Sequence, residues 1–130
     1  MSKPKGVLAI QILAMPADTN AHGDIFGGWL VSHMDMAAGI EARRRARSRA
    51  VTVAIESLVF IKPVYIGDTV CCYADLVKVG RTSMQFKIEV WTLALLASEP
   101  KKVAEGLFTF VAIDEHGRPH PVERGPTMDK

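Results

Sequence analysis

The chain has 130 residues, 48% of them hydrophobic, and a mean hydropathy of +0.14, which is enough apolar material for one core and too much for a disordered chain. A formal charge of +2 is too small to specify a polyanionic partner, so no nucleic acid is expected. No run approaches the roughly 20 apolar residues of a membrane span and no signal-peptide core follows Met1-Ser2-Lys3-Pro4-Lys5-Gly6, so a cytoplasmic protein without membrane insertion is expected.

Along the chain, Gly6 to Ala14 (GVLAIQILA) is a short apolar run stopped by Met15-Pro16 and reads as a first strand. A polar loop follows. From Gly28 to Ala46 there is no proline, Leu30, Met34, Ala37, Ala38 and Glu41 recur at helical spacing, and the segment ends on Arg43, Arg44, Arg45 and Arg47. Basic residues there complement the C-terminal helix dipole. Val51 to Ile61 alternates through Val51, Val53, Ile55, Ser57, Val59 and Ile61 up to a Lys62-Pro63 break, and Gly67-Asp68 marks a turn. Thr69 to Val79 and Thr82 to Leu96 predict a long, half-exposed hairpin about Gly80-Arg81, with Phe86, Ile88 and Val90 on one face and Gln85, Lys87 and Glu89 on the other. Val103 to Ile113 is a last strand. The division is one domain over residues 1–114 and a polar tail over 115–130. The sum is an α+β protein with a short strand, one long helix, then four strands in antiparallel meander order. A helix of about 28 Å cannot cover strands of this length, so a second copy is expected to complete the core.

The most informative segment is Asp18 to Trp29, where a turn-rich loop passes through Gly27-Gly28 into the helix. The first N–H groups of a helix lack intrahelical partners and carry partial positive charge, and glycine lets a ligand approach them. Such a terminus suits an anion or a developing oxyanion. Seven residues on, along nearly the same helix face, stands Asp35 among Met34, Met36, Ala37 and Ala38. Asp18-x-Asn20-x-His22-Gly23 begins like a calcium loop but has Trp29 where a bidentate Glu belongs, and no metal is expected. As an imidazole His22 is a candidate general base, against a merely solvated loop residue. Glu56, in an otherwise apolar strand, reads as a bridge to a partner, a loop-positioning group or a sheet-face charge. Cys71 and Cys72 are adjacent in a strand, facing opposite ways, and read as two buried free thiols. The five arginines from Arg43 to Arg49 read as a solvated, dipole-compensating surface or a phosphate contact, with no interleaved aromatics to favour nucleic acid.

The run from Leu13 to Leu30 (LAMPADTNAHGDIFGGWL), followed by Met34-Asp35, Val51-Thr52-Val53 with Glu56, Phe60-Ile61-Lys62-Pro63-Val64, Gly67 to Tyr73 (GDTVCCY) and Glu89-Val90-Trp91, resembles the hotdog-fold acyl-CoA thioesterases, specifically the YciA-like group. The likeness spans about Gly6 to Asp114, and its departures are His22, where Asn is expected in close relatives, and the Arg-rich helix end. It implies a central helix wrapped by an antiparallel sheet, dimers assembled further into hexamers, and hydrolysis of acyl-CoA thioesters with no cofactor beyond the coenzyme A of the substrate. Asp35 is then the general base or nucleophile, the Gly28 N–H the oxyanion donor, and Asn20 a group orienting water or thioester. His22, Gly27, Glu56, Lys62 and the hairpin-tip trio Arg81, Thr82 and Ser83 are the expected substrate and CoA contacts. Seven helical residues span about 10.5 Å, which favours a site with Gly28 from one subunit and Asp35 from the other. A non-catalytic acyl-CoA binding protein on the same fold is the alternative.

Overall fold

The structure, a computed structural model, describes residues 3–122. Strand β1 (Val7–Leu13) and a single 3-10 turn lead to helix α1 (Gly27–Ala46), followed by β2 (Arg49–Phe60), β3 (Thr69–Val79), β4 (Ser83–Leu93) and β5 (Lys101–Ile113). The strands form one antiparallel sheet in the order β1-β3-β4-β5-β2. The α+β class and the single helix on an antiparallel sheet agree with the sequence, but the meander order does not. Only β3, β4 and β5 follow one another. The short Gly80–Thr82 link makes a hairpin, whereas the Pro63-containing link after β2 carries the chain across the end of the sheet, leaving β2 on the far edge beside β5.

The helix buries Leu30, Met34, Ala37, Ala38, Ala42 and Ala46 against Cys72, Phe86, Ile88, Val90, Phe108 and Phe110. Its small side chains permit a close approach: a Cβ on Gly39 would already stand 3.4 Å from the Phe110 ring. The helix closes on Arg47 in a left-handed conformation (φ 54°), whose N–H donates to the Arg43 carbonyl. That 5→1 bond satisfies one of the last carbonyls.

On β2, Ala50 and Thr52 pair with Ala112 and Phe110, the side under the helix, while Val51 pairs with Val111 on the other side. Val51, Val53, Val59 and Phe60 are exposed. Two bulges interrupt this strand, the second containing Ser57 with φ 53°. Among the described residues an apolar, twelve-residue edge is thus left without a partner strand. The hairpin's outer face also differs from expectation. Glu89 is only 4% exposed, because the Trp91 indole N–H donates to it at 2.9 Å and Lys102 lies 3.7 Å away. Cys71 and Cys72 are free thiols, and burial, then the neighbouring Cys71, pushes Cys72 up to about 12. After Ile113 the chain turns back, Val122 is buried, and its N–H donates to the Arg81 carbonyl. The part of the expected tail over residues 123–130 lies outside the described residues.

Candidate active site

The loop before the helix is held by its own side chains. The Asn20 Oδ1 accepts the N–H groups of His22 (2.8 Å) and Asp24 (3.2 Å), the Asn20 N–H donates to the Asp24 carbonyl (2.7 Å), and the Gly23 N–H donates to the Asn20 carbonyl (3.1 Å). Gly23 supplies the φ of +85° this turn needs. The Ile25 N–H donates to the Val64 carbonyl at 3.0 Å and ties the loop to the link after β2. The helix then starts on Gly27 from an extended Phe26 without a side-chain cap and without an acidic residue in its first turn. The Trp29 N–H donates to the Phe26 carbonyl, whereas no acceptor among the described residues takes the N–H of Gly27 or Gly28. Two unclaimed donors therefore stand at the positive end of the helix dipole. A cleft of about 360 Å³ opens here, lined by Asn20, Phe26, Gly27, Phe60 and Lys62 among others. A Cβ on Gly27 would lie 3.1 Å from the Phe60 ring, so glycine gives the cleft its width.

Asp35 lies two turns along the helix, half-buried, and its Oδ1 accepts a 2.6 Å hydrogen bond from the Thr52 hydroxyl. Thr52 reaches it from the helix side of β2. One chain thus brings Asn20, Gly27 and Lys62 to the cleft, while Gly28 follows Gly27 in the helix outside the lining and His22 is exposed in the loop. Asp35 stands apart from them. Glu56 is exposed and pairs with Leu107, out of register with the core residue Phe108. Arg81, Thr82 and Ser83 sit where Ser83 pairs with Val111, at the end of the sheet that also holds Arg49. That is the end of the helix C-terminus, some 30 Å of helix away from Gly27.

Sequence reasoning gave no role to Thr52 or to the pair Trp29 and His33. The His33 Nδ1 lies 2.8 Å from the Trp29 carbonyl, with the two ring centroids 4.2 Å apart. Thr52 carried a signal, since a hydroxyl interrupts an otherwise apolar strand, but its partner lies 17 residues away on another element.

A single helix on this sheet, with bare amides at its start, defines a hotdog-type protein suited to an electron-rich oxygen. Residues 22–95 match the thioesterase superfamily, and the chain belongs to that family. It is 53% identical over 124 residues to an uncharacterized acyl-CoA thioester hydrolase of Haemophilus influenzae, covering 92% of this chain and 80% of that protein. To the acyl-CoA thioester hydrolase YciA of Escherichia coli K12 it is 52% identical over 126 residues, covering 92% and 95%. Among solved structures it resembles a hexameric broad specificity acyl-coenzyme A thioesterase (TM-score 0.90, 50% identity, 94% of this chain and 90% of that one). The hexameric thioesterase of Yersinia pestis is similar at TM-score 0.88 and 47% identity, covering 95% and 100%.

Proposed function

We propose that this chain hydrolyses acyl-CoA thioesters at a site shared by two subunits. The observation that carries this reading is the pair of unclaimed amides at Gly27 and Gly28, two helical turns from a carboxylate held by one hydroxyl. Asp35 takes the proton of a water attacking the thioester carbonyl, or attacks that carbon itself to give an acyl anhydride that water then hydrolyses, releasing the acid and restoring the carboxylate. The Gly28 N–H stabilises the resulting oxyanion, collapse breaks the C–S bond, and the CoA sulfur leaves as a thiol once protonated. A span of about 10.5 Å along one helix is too long for both groups to meet one carbonyl.

Antiparallel pairing of two β2 edges resolves this, since it sets the helix start of one subunit against the middle of its partner's helix. It also carries the partner's hairpin tip, with Arg81, Thr82 and Ser83, toward the cleft. The named hexamers among the relatives support an assembly of such dimers here, and Glu56, exposed on β2, then stands where a partner chain can be reached.

Subunit mixing tests the shared site. Asp35→Ala and Gly28→Val are each expected to be inactive. Mixed dimers keep one whole site in two, so thiol release should return to about half of wild type by site counting. Mixed dimers that form by mass but stay inactive would place each site within one chain.

A further inference from the structure

The link from β4 to β5 departs from ordinary turn chemistry. The Ala97 N–H donates to the Ala94 carbonyl at 3.1 Å, which puts Leu95 and Leu96 at the two corners of a β-turn, positions that glycine, proline, asparagine, aspartate and serine ordinarily fill. Their side chains are 89% and 94% exposed, whereas no other large apolar side chain among the described residues exceeds 55%. The neighbouring turns continue the pattern. β1 and β4 both pair with the start of β3, so Leu13, Thr69 and Leu93 lie in one row, and the Gly67 N–H donates to the Ala14 carbonyl, which holds the Tyr65–Asp68 turn against the end of β1. Met15, Tyr65 and Ile66 stand half exposed there, while the Asp68 carboxylate is turned inward and accepts the Tyr65 N–H. Three adjacent turns thus present apolar side chains at one end of the sheet.

Cations stand behind this tip. On the face of the sheet away from the helix lies a groove of about 540 Å³, bordered by Trp91, two residues before Leu93, and by six lysines against Glu89 and Glu99. Lys87 and Lys102 are committed to Glu105 and Glu89, whereas Lys3, Lys5 and Lys101 have no ion pair among the described residues. Lys101 pairs with Thr92 across the base of the leucine turn.

We infer that this end of the molecule docks on an anionic lipid surface, with Leu95 and Leu96 entering the headgroup layer and the lysines facing the lipid phosphates. A projecting apolar tip with cations set behind it on a broad face matches a layered partner, in which a charged plane overlies hydrocarbon. The contact is peripheral, since no helix among the described residues is long and apolar enough to cross a bilayer. It goes beyond the thioesterase reading and does not rest on it. Where both hold, the cleft at the helix start opens at the same end, because the Ile25 N–H joins its loop to the Val64 carbonyl just before the Tyr65 turn.

Cosedimentation with sucrose-loaded vesicles tests the inference on the full chain in its native assembly. Vesicles of equal parts phosphatidylglycerol and phosphatidylcholine should bind the wild type at about 1 mM lipid, a concentration that well exceeds what a single myristoyl chain needs for half-binding. Phosphatidylcholine alone, or salt raised to about 0.5 M, should lower the partition coefficient by at least about tenfold. Leu95→Ser/Leu96→Ser should lower it by at least about tenfold through lost apolar burial, and Lys5→Gln/Lys101→Gln by about tenfold on the anionic vesicles. No binding by the wild type, equal binding to the two kinds of vesicle, or either double variant within about twofold of wild type overturns the inference. So does a serine variant of smaller native mass, which would make the leucines a contact between copies of this chain. Binding is read without turnover, so its failure and that of the thioesterase reading are told apart.

Discussion

Among the described residues the Thr52 hydroxyl is the one hydrogen-bond partner of Asp35, and that makes its contribution separable. Asp35→Asn should lower kcat by about 10²–10⁴-fold without loss of assembly, as removal of a general base does. Thr52→Val should cost about tenfold, since it removes one hydrogen bond to a charged acceptor, and Thr52→Ser should restore most of it. Stopped-flow detection of released thiol with native mass measurement checks both. An Asp35→Asn protein above about a tenth of wild-type kcat would remove the carboxylate from the chemistry. The cysteines bear on such an assay. Because burial raises the Cys72 thiol to about 12 from an ordinary 9.0, the folded protein favours the neutral thiol. That contribution to stability is whole below about pH 9 and is lost as pH rises toward 12. At pH 8 the native chain should therefore show no fast labelling at Cys72, and full labelling should appear only in denaturant.

The helix start and the outer sheet face each make a prediction at the scale of the element. A valine at Gly27 would press its side chain on the Phe60 ring, which a Cβ already meets at 3.1 Å. Gly27→Val should narrow the cleft, lower kcat/KM for long acyl chains more than for acetyl-CoA, and leave the melting temperature within a few degrees. Equal losses for both chain lengths would mean that Gly27 does not set the width. On the sheet, the hydrogen bond from Lys102 holds the Glu105 carboxyl below its ordinary value, despite partial burial, and Lys87 adds to it. A lowered folded-state value gives stability above the ordinary carboxylate range that is lost on acidification. Glu105→Gln should flatten the fall in melting temperature below about pH 4.5. The helix was legible because its period, its basic end and the glycine pair are all local. The place of β2 was not, because alternation says that a strand has two faces and says nothing of which strand lies beside it. Val51 and Val53, on the alternating apolar face read from the sequence, are exposed, and the sheet's helix side is given to Ala50 and Thr52.

For the whole molecule, the missing cover on β2 is the controlling fact. Its twelve residues expose an edge and apolar side chains together, which makes it a pairing surface. Val53→Lys, at a bulged and 55% exposed position, should shift the sedimentation profile toward monomer and lower activity in step at micromolar concentration. A monomeric variant with full activity would contradict a site built from two chains. The same distances explain why the candidate site was only half readable. Asp35 and Gly28 are close in sequence and far apart for one substrate, while Gly27, Phe60 and Lys62 are scattered in sequence and meet only in space.

The loop from Asn20 to Asp24 has a consequence for how such a protein diversifies. Its shape depends on the Asn20 side chain and on Gly23, with Ile25 as its anchor, and its outward residues, Ala21 and His22 among them, carry no core contact. Substitutions there can change the exposed surface of the loop beside the cleft while the sheet, the helix start and Asp35 stay as they are. That surface can thus change at little risk to the fold, and variation among descendants of this chain should concentrate on those two positions while Asn20 and Gly23 persist.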